Sequence, residues 1–191
     1  ERLGQGNELF VLARVADARL LAQQRVGVAV LAEAGARLGC ELKVDERHRR
    51  EIVDAKARVI VLEDTAELQC AGADVVQLLT KRSAPAINMR DLVQMTLRLR
   101  PDRIVVGEVR DGAALEVLKA WNTGHPGGLA TIHANSALEG LTRLEDLIGE
   151  ATPRIPYRAI TQAINLVVFI ERAPDGRRVK EVSRLAGRDG E

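Results

Sequence analysis

Three apolar stretches of this chain run straight into residues that can do chemistry. Val61-Leu62 leads into Glu63-Asp64-Thr65-Ala66-Glu67, and Ile104-Val105-Val106 into Gly107-Glu108-Val109-Arg110. The third, Leu129-Ala130-Thr131-Ile132, leads into His133-Ala134-Asn135. A carboxylate at such a point orders a water or contacts Mg2+ beside a polyphosphate. An imidazole donates a hydrogen bond to a phosphate oxygen and changes its charge near neutral pH. The arginines around Glu108, among them Arg100 and Arg110, suit phosphate because a guanidinium pairs with its oxygens bidentately. Each feature alone has a plainer reading. Asp64 or Thr65 serves as the cap of the next turn, and a lone histidine is usually a satisfied structural residue. Glu108, preceded by a glycine that lets a ligand approach, stands evenly between the two. Three polar strand tips in register favour a site.

The elements that must position these tips are readable as texture. From Arg58 onward, short apolar runs at 59–62, 104–106, 129–132 and 166–170 alternate with helical patterns of period 3.6. Those patterns cover 89–99, 113–121, 137–148 and 155–164. Apolar runs without alternation suit strands covered on both faces, so an α/β layered fold with a mostly parallel sheet is predicted. In such sheets ligands bind outside the carboxyl ends of the strands, where Glu63, Glu108 and His133 fall. Residues 179–185 alternate more and read as a last strand, at an edge. Residues 1–42 form a separate unit, with a strand over 9–15 and a helix from the Asp17 cap through Leu38 to Gly39. Residues 43–57 read as a linker that carries Arg47-His48-Arg49-Arg50, a solvated charge run.

Composition narrows the function classes. With 46% hydrophobic and 29% charged residues over 191, the chain is globular and able to bury a sizeable core. Its 28 basic and 27 acidic side chains leave a formal charge of +1, which argues against a global field for nucleic acid. Phe10, Trp121, Tyr157 and Phe169 are too few to build a stacking surface for single strands, so no direct nucleic-acid binding is expected. Cys40 and Cys70 lie far apart without a CxxC, which predicts free thiols in a reducing compartment and no zinc site. No apolar run approaches the roughly 18 residues of a membrane span, and no charged-then-apolar leader opens the chain. A soluble, cytoplasmic protein is expected.

The segments EDTAELQ (63–69), LRLRPDRIVVGEVR (97–110) and TGHPGGLATIHANS (123–136) lie in this order. Together they resemble the Asp box, the Walker B segment and the His box of the traffic ATPases of type IV secretion. The resemblance covers residues 51–171. Residues 121–128 and Gln69-Cys70 tilt it to the conjugal-transfer branch rather than pilus assembly. It implies a RecA-like ATPase domain over 58–191, with 1–42 as part of a small α+β N-terminal domain. It also implies ATP and Mg2+, a homohexameric ring and inner-membrane secretion-channel proteins as partners. The seat would be cytoplasmic, peripheral to the bacterial inner membrane. Carried over residue by residue, Glu108 activates water and His133 senses the γ-phosphate. Glu63 and Asp64 serve the Mg2+–water shell, while Arg100 and Arg110 act on the nucleotide in the same site.

One part of that pattern is absent. A P-loop NTPase needs a strand followed by GxxxxGK[ST], whose backbone N–H groups and lysine hold the phosphates. No GK[ST] occurs in the 191 residues. In the family this segment directly precedes the Asp-box strand, and here Arg50 joins Glu51-Ile52-Val53-Asp54-Ala55, which looks like the tail of the P-loop helix. A segment missing between Arg50 and Glu51 is therefore expected. The competing reading is a ring or scaffold subunit that lacks a P-loop and does not hydrolyse ATP.

Overall fold

The computed structural model describes residues 9–13, 57–68, 70, 73–125, 127–173 and 176–185. The expected helix through Leu38 and most of the expected linker lie outside them. Seven strands form one sheet: β1 (Leu9–Ala13), β2 (Arg58–Glu63), β3 (Asp74–Leu79), β4 (Arg103–Val106), β5 (Leu129–His133), β6 (Leu166–Ala173) and β7 (Gly176–Arg184). Four helices are described: α1 (Met89–Thr96), α2 (Ala114–Asn122), α3 (Ala137–Gly149) and α4 (Tyr157–Ala163). The strand order is β3-β2-β4-β5-β1-β6-β7. β3, β2, β4 and β5 pair in parallel, whereas β1 runs antiparallel to both β5 and β6, and β7 antiparallel to β6.

The parallel strands form because their residues are apolar on both faces. Val61 and Leu62 are fully buried although they point to opposite sides of the sheet. Ile60, Leu62, Ile104, Val106, Ala130 and Ile132 share one core with all four helices. Val59, Val61, Val105 and Leu129 join Leu166, Val168 and Ile170 in a second core on the opposite face, where Leu68 packs. Helix starts follow the local chemistry. Asn88 and Asp91 cap α1 reciprocally, each side chain accepting from the other's backbone N–H at 3.0 Å. Ser136 caps α3 by accepting from Glu139 N.

Two elements differ from the sequence reading. β3 falls where no strand was expected, because it lies at the sheet edge and its residues are only partly buried. The strand expected in a separate unit over 1–42 is, at residues 9–13, the member of the central sheet between β5 and β6. Leu-Phe-Val-Leu-Ala has no polar alternation, so its sequence suits a position covered on both faces as well as one in a small domain. The edge strand expected over 179–185 is β7.

Candidate functional site at the strand tips

The parallel register sets which tips meet. Leu62 pairs with Val106, and Val106 with Ala130, so Glu63 stands level with Gly107 and Thr131 rather than with Glu108. Gly107 N donates to Leu62 O at 2.7 Å, Val109 N donates to Thr131 O at 2.9 Å, and Thr131 Oγ1 donates to Gly107 O. This continuation of the ladder carries Glu108 past the end of β4, towards the last residue of β5. There His133 Nε2 lies 3.5 Å from Glu108 Oε1. Arg110 donates Nη2–H to Glu108 Oε2 at 2.6 Å, and its Nη1 lies 3.5 Å from Asp64 Oδ2. Asp64 Oδ1 in turn accepts from Thr80 Oγ1 at 2.8 Å.

These contacts set the charge of Glu108. Burial alone raises its pKa, but hydrogen bonds and charge from His133 and Arg110 outweigh burial and hold it at about 2, against an ordinary 4.5. The hydrogen bond and charge of Glu108 push Arg110 up from its ordinary value. Glu108 is therefore a carboxylate throughout the physiological range. So weak a base orders a water by accepting its hydrogen bond and stabilises positive charge rather than keeping a proton in the ground state.

Glu63 takes a different place. It is 2% exposed, and its Oε1 accepts from the backbone N–H of Glu67 (3.1 Å) and Leu68 (2.9 Å), folding its own loop. Its Oε2 is buried with no partner among the described residues. Gly107 is required beside it: a Cβ at 107 would lie 2.9 Å from Glu63 Cγ. The loop that Glu63 shapes presents Asp64 to Arg110 and Thr80.

Arg100 is not brought to this cluster within one chain. It precedes β4, whereas Glu108 follows it, so the strand separates them. Its φ of 53° is left-handed, and the turn around it is braced. Arg58 Nη1 donates to Leu99 O at 3.0 Å, and Arg58 N donates to Asp102 Oδ2 at 2.7 Å. His125 Nδ1 donates to Pro101 O at 2.8 Å. The glycine-rich stretch before β5 therefore belongs to the opposite sheet end, whereas His133, at the far end of that segment, reaches the Glu108 cluster.

Asp64, Thr80, Arg82, Asn88, Glu108 and Arg110 line a cleft of about 330 Å3 beside the tips. Thr80, Arg82 and Asn88 were not singled out from the sequence. Thr80 follows the unexpected strand β3, while Asn88 was legible as the start of an Asn-x-x-Asp capping box.

The Type II/IV secretion system protein family matches residues 47–180. The conjugal transfer protein TrbB of Rhizobium radiobacter is 54% identical over 139 residues, 72% of this chain and 42% of that protein. VirB11 of Agrobacterium fabrum is 37% identical over 99 residues, 50% of this chain and 29% of that protein. The crystal structure of the VirB11 ATPase from the Brucella suis type IV secretion system, in complex with sulphate, superposes with a TM-score of 0.66. That superposition covers 87% of this chain and 55% of the other at 23% identity, a likeness of fold. It agrees with the mostly parallel RecA-like α/β sheet expected from the sequence. The chain spans less than half the length of the TrbB relative it matches.

Proposed function

Since this chain belongs to the Type II/IV secretion system protein family, we propose that it is the nucleotide-hydrolysing part of a conjugal-transfer traffic ATPase. The observation that carries this reading is the meeting of Glu108, His133 and Arg110 at the carboxyl ends of adjacent parallel strands. In this reading Glu108 holds the attacking water, and the fixed charge at its carboxylate needs no reorganisation as the reaction proceeds. His133, beside Glu108, is the donor to the γ-phosphate oxygens in the same reading. Arg110 pairs with both carboxylates through its two Nη groups and offers its further N–H donors to phosphate without leaving them.

The residues fit a hydrated Mg2+. Asp64 offers a carboxylate at the cleft, and the unpartnered Oε2 of Glu63 is the kind of oxygen that a metal-bound water satisfies. Mg2+ would neutralise charge building on the phosphates. Asp64 and Glu63 would orient its water shell, with Thr80 fixing Asp64.

The exposed Arg100, held on a braced turn at the other sheet end, would serve a neighbouring copy in a homohexameric ring. An arginine supplied in trans stabilises charge in the transition state only when the ring is assembled. No helix among the described residues is long and apolar enough to cross a membrane. A cytoplasmic seat against inner-membrane channel proteins follows from the proposed role. The lysine and backbone cradle for the phosphates would come from a P-loop segment between Arg50 and Glu51.

The absence of GK[ST] favours a second reading, a ring subunit that binds partners without turnover. Phosphate release from ATP by the intact protein separates the two. Mg2+-dependent release supports the ATPase, and no release from an assembled, nucleotide-bound ring supports the scaffold.

A further inference from the structure

The polar links at the strand tips follow the order of the strands in the sheet. Thr80 succeeds β3, Asp64 succeeds β2, Glu108 and Arg110 succeed β4, and His133 ends β5. Thr80 Oγ1 donates to Asp64 Oδ1 (2.8 Å), Asp64 Oδ2 faces Arg110 Nη1 (3.5 Å), and Arg110 Nη2 donates to Glu108 Oε2 (2.6 Å). The backbone of Thr80 is itself fixed, because its N–H donates to Glu63 O at 3.0 Å.

Exposure explains why such a chain is needed. The Arg110 side chain is 56% exposed, while that of Glu108 is 13% exposed. A long exposed side chain gives up rotamer freedom to stay in one pose, and a single surface ion pair barely offsets that loss. A second carboxylate on the other arm of the fork gives the guanidinium two fixed points. That carboxylate must keep one rotamer, and the hydroxyl of Thr80 is what holds one Asp64 oxygen while the other faces Arg110.

We propose that Thr80 is a positioning residue for Glu108, acting through Asp64 and Arg110. The inference rests on the reading of Glu108 as the group that orders water. Thr80 touches no reacting atom in this account. Its hydroxyl determines how rigidly Arg110 holds Glu108, and so how often the carboxylate stands where a water must be held.

The test compares Thr80→Val, which keeps the β-branched shape and removes the donor, with Thr80→Ser, which keeps the donor. In the intact protein, Thr80→Val is expected to lower kcat by ~3–10-fold with KM for ATP changed less than ~2-fold, and Thr80→Ser to restore it. In an Arg110→Ala background, Thr80→Val should add no further loss, as coupled residues in one network do. The same variants are read without turnover by NMR of the Arg110 guanidinium N–H groups. Separate, slowly rotating Nη signals are expected in the wild type and in Thr80→Ser, and averaged signals in Thr80→Val. Unchanged Arg110 signals in Thr80→Val, or additive losses of kcat with Arg110→Ala, overturn the inference. If the wild type releases no phosphate, the ATPase reading falls while the NMR comparison still decides the role of Thr80.

Discussion

Replacing Gly128 with alanine puts a methyl group where the indole of Trp121 lies. A Cβ at 128 would stand 2.1 Å from Trp121 Nε1, 2.4 Å from Cε2 and 2.7 Å from Cδ1. Ordinary carbon contacts are about 3.5–4.0 Å, so one partner must move by more than ~1 Å. The ring has little room to do so, since Trp121 is 1% exposed and donates Nε1–H to Ile104 O at 3.2 Å. Overpacking of this kind costs about 1–3 kcal/mol. Breaking the buried indole hydrogen bond adds about 1–3 kcal/mol. A loss of ~4 kcal/mol is therefore expected for Gly128→Ala, a large share of the ~5–15 kcal/mol that holds a domain folded. Trp121 is the one tryptophan of these 191 residues, so urea unfolding of this chain followed by its fluorescence reads the loss and the ring's environment together. The emission should shift to the red in the folded variant. A loss below ~1 kcal/mol with an unchanged emission maximum would refute the packing argument.

Three further predictions follow from the site and its surroundings. His133→Ala should melt near the wild type without nucleotide but gain much less from an ATP analogue with Mg2+, with the ADP shift less affected; a purely structural histidine would instead cost about 1–2 kcal/mol in the nucleotide-free protein. Glu108 has its folded pKa lowered to about 2 from 4.5, so its pairing contributes stability fully above pH 4.5 and loses it as pH falls towards 2. The stability gap between wild type and Glu108→Gln should narrow as pH falls through that window, and a gap that widens there on acidification in urea titrations contradicts the charge assignment. Intact-mass spectrometry of the protein should give a mass well above the 20.8 kDa of these 191 residues, and a mass equal to it removes the P-loop segment proposed before Glu51.

Much of the sheet was legible because burial on both faces leaves an unmistakable trace. Val59-Ile60-Val61-Leu62 and Ile104-Val105-Val106 contain no polar residue, and each is a strand of the central sheet. β3 left no such trace, since an edge strand keeps Gln77 and a partly exposed Leu79. Thr80 was lost with it. The pairing of Glu108 with His133 could be anticipated, because neighbouring parallel strands bring their ends together. Its details depend on register, which the sequence does not print: Glu63 ends level with Gly107 and turns into its own loop instead of joining Glu108. Arg100 and Arg110 are close in sequence and flank β4, and an extended strand between two residues sends them to opposite sheet ends. In the structure, Gly128 makes room for Trp121, and Gly127 adopts a φ of 85°.

The central claim, that the carboxylate of Glu108 organises ATP hydrolysis at the strand tips, is tested most directly by Glu108→Gln in the intact protein. The glutamine keeps size and one acceptor but removes the charge that Arg110 and His133 hold in place. Steady-state phosphate release is measured beside the affinity for a fluorescent ATP analogue. Turnover lower by ~10²–10⁴-fold is expected, with affinity and ring assembly retained. Turnover at the wild-type rate would contradict it.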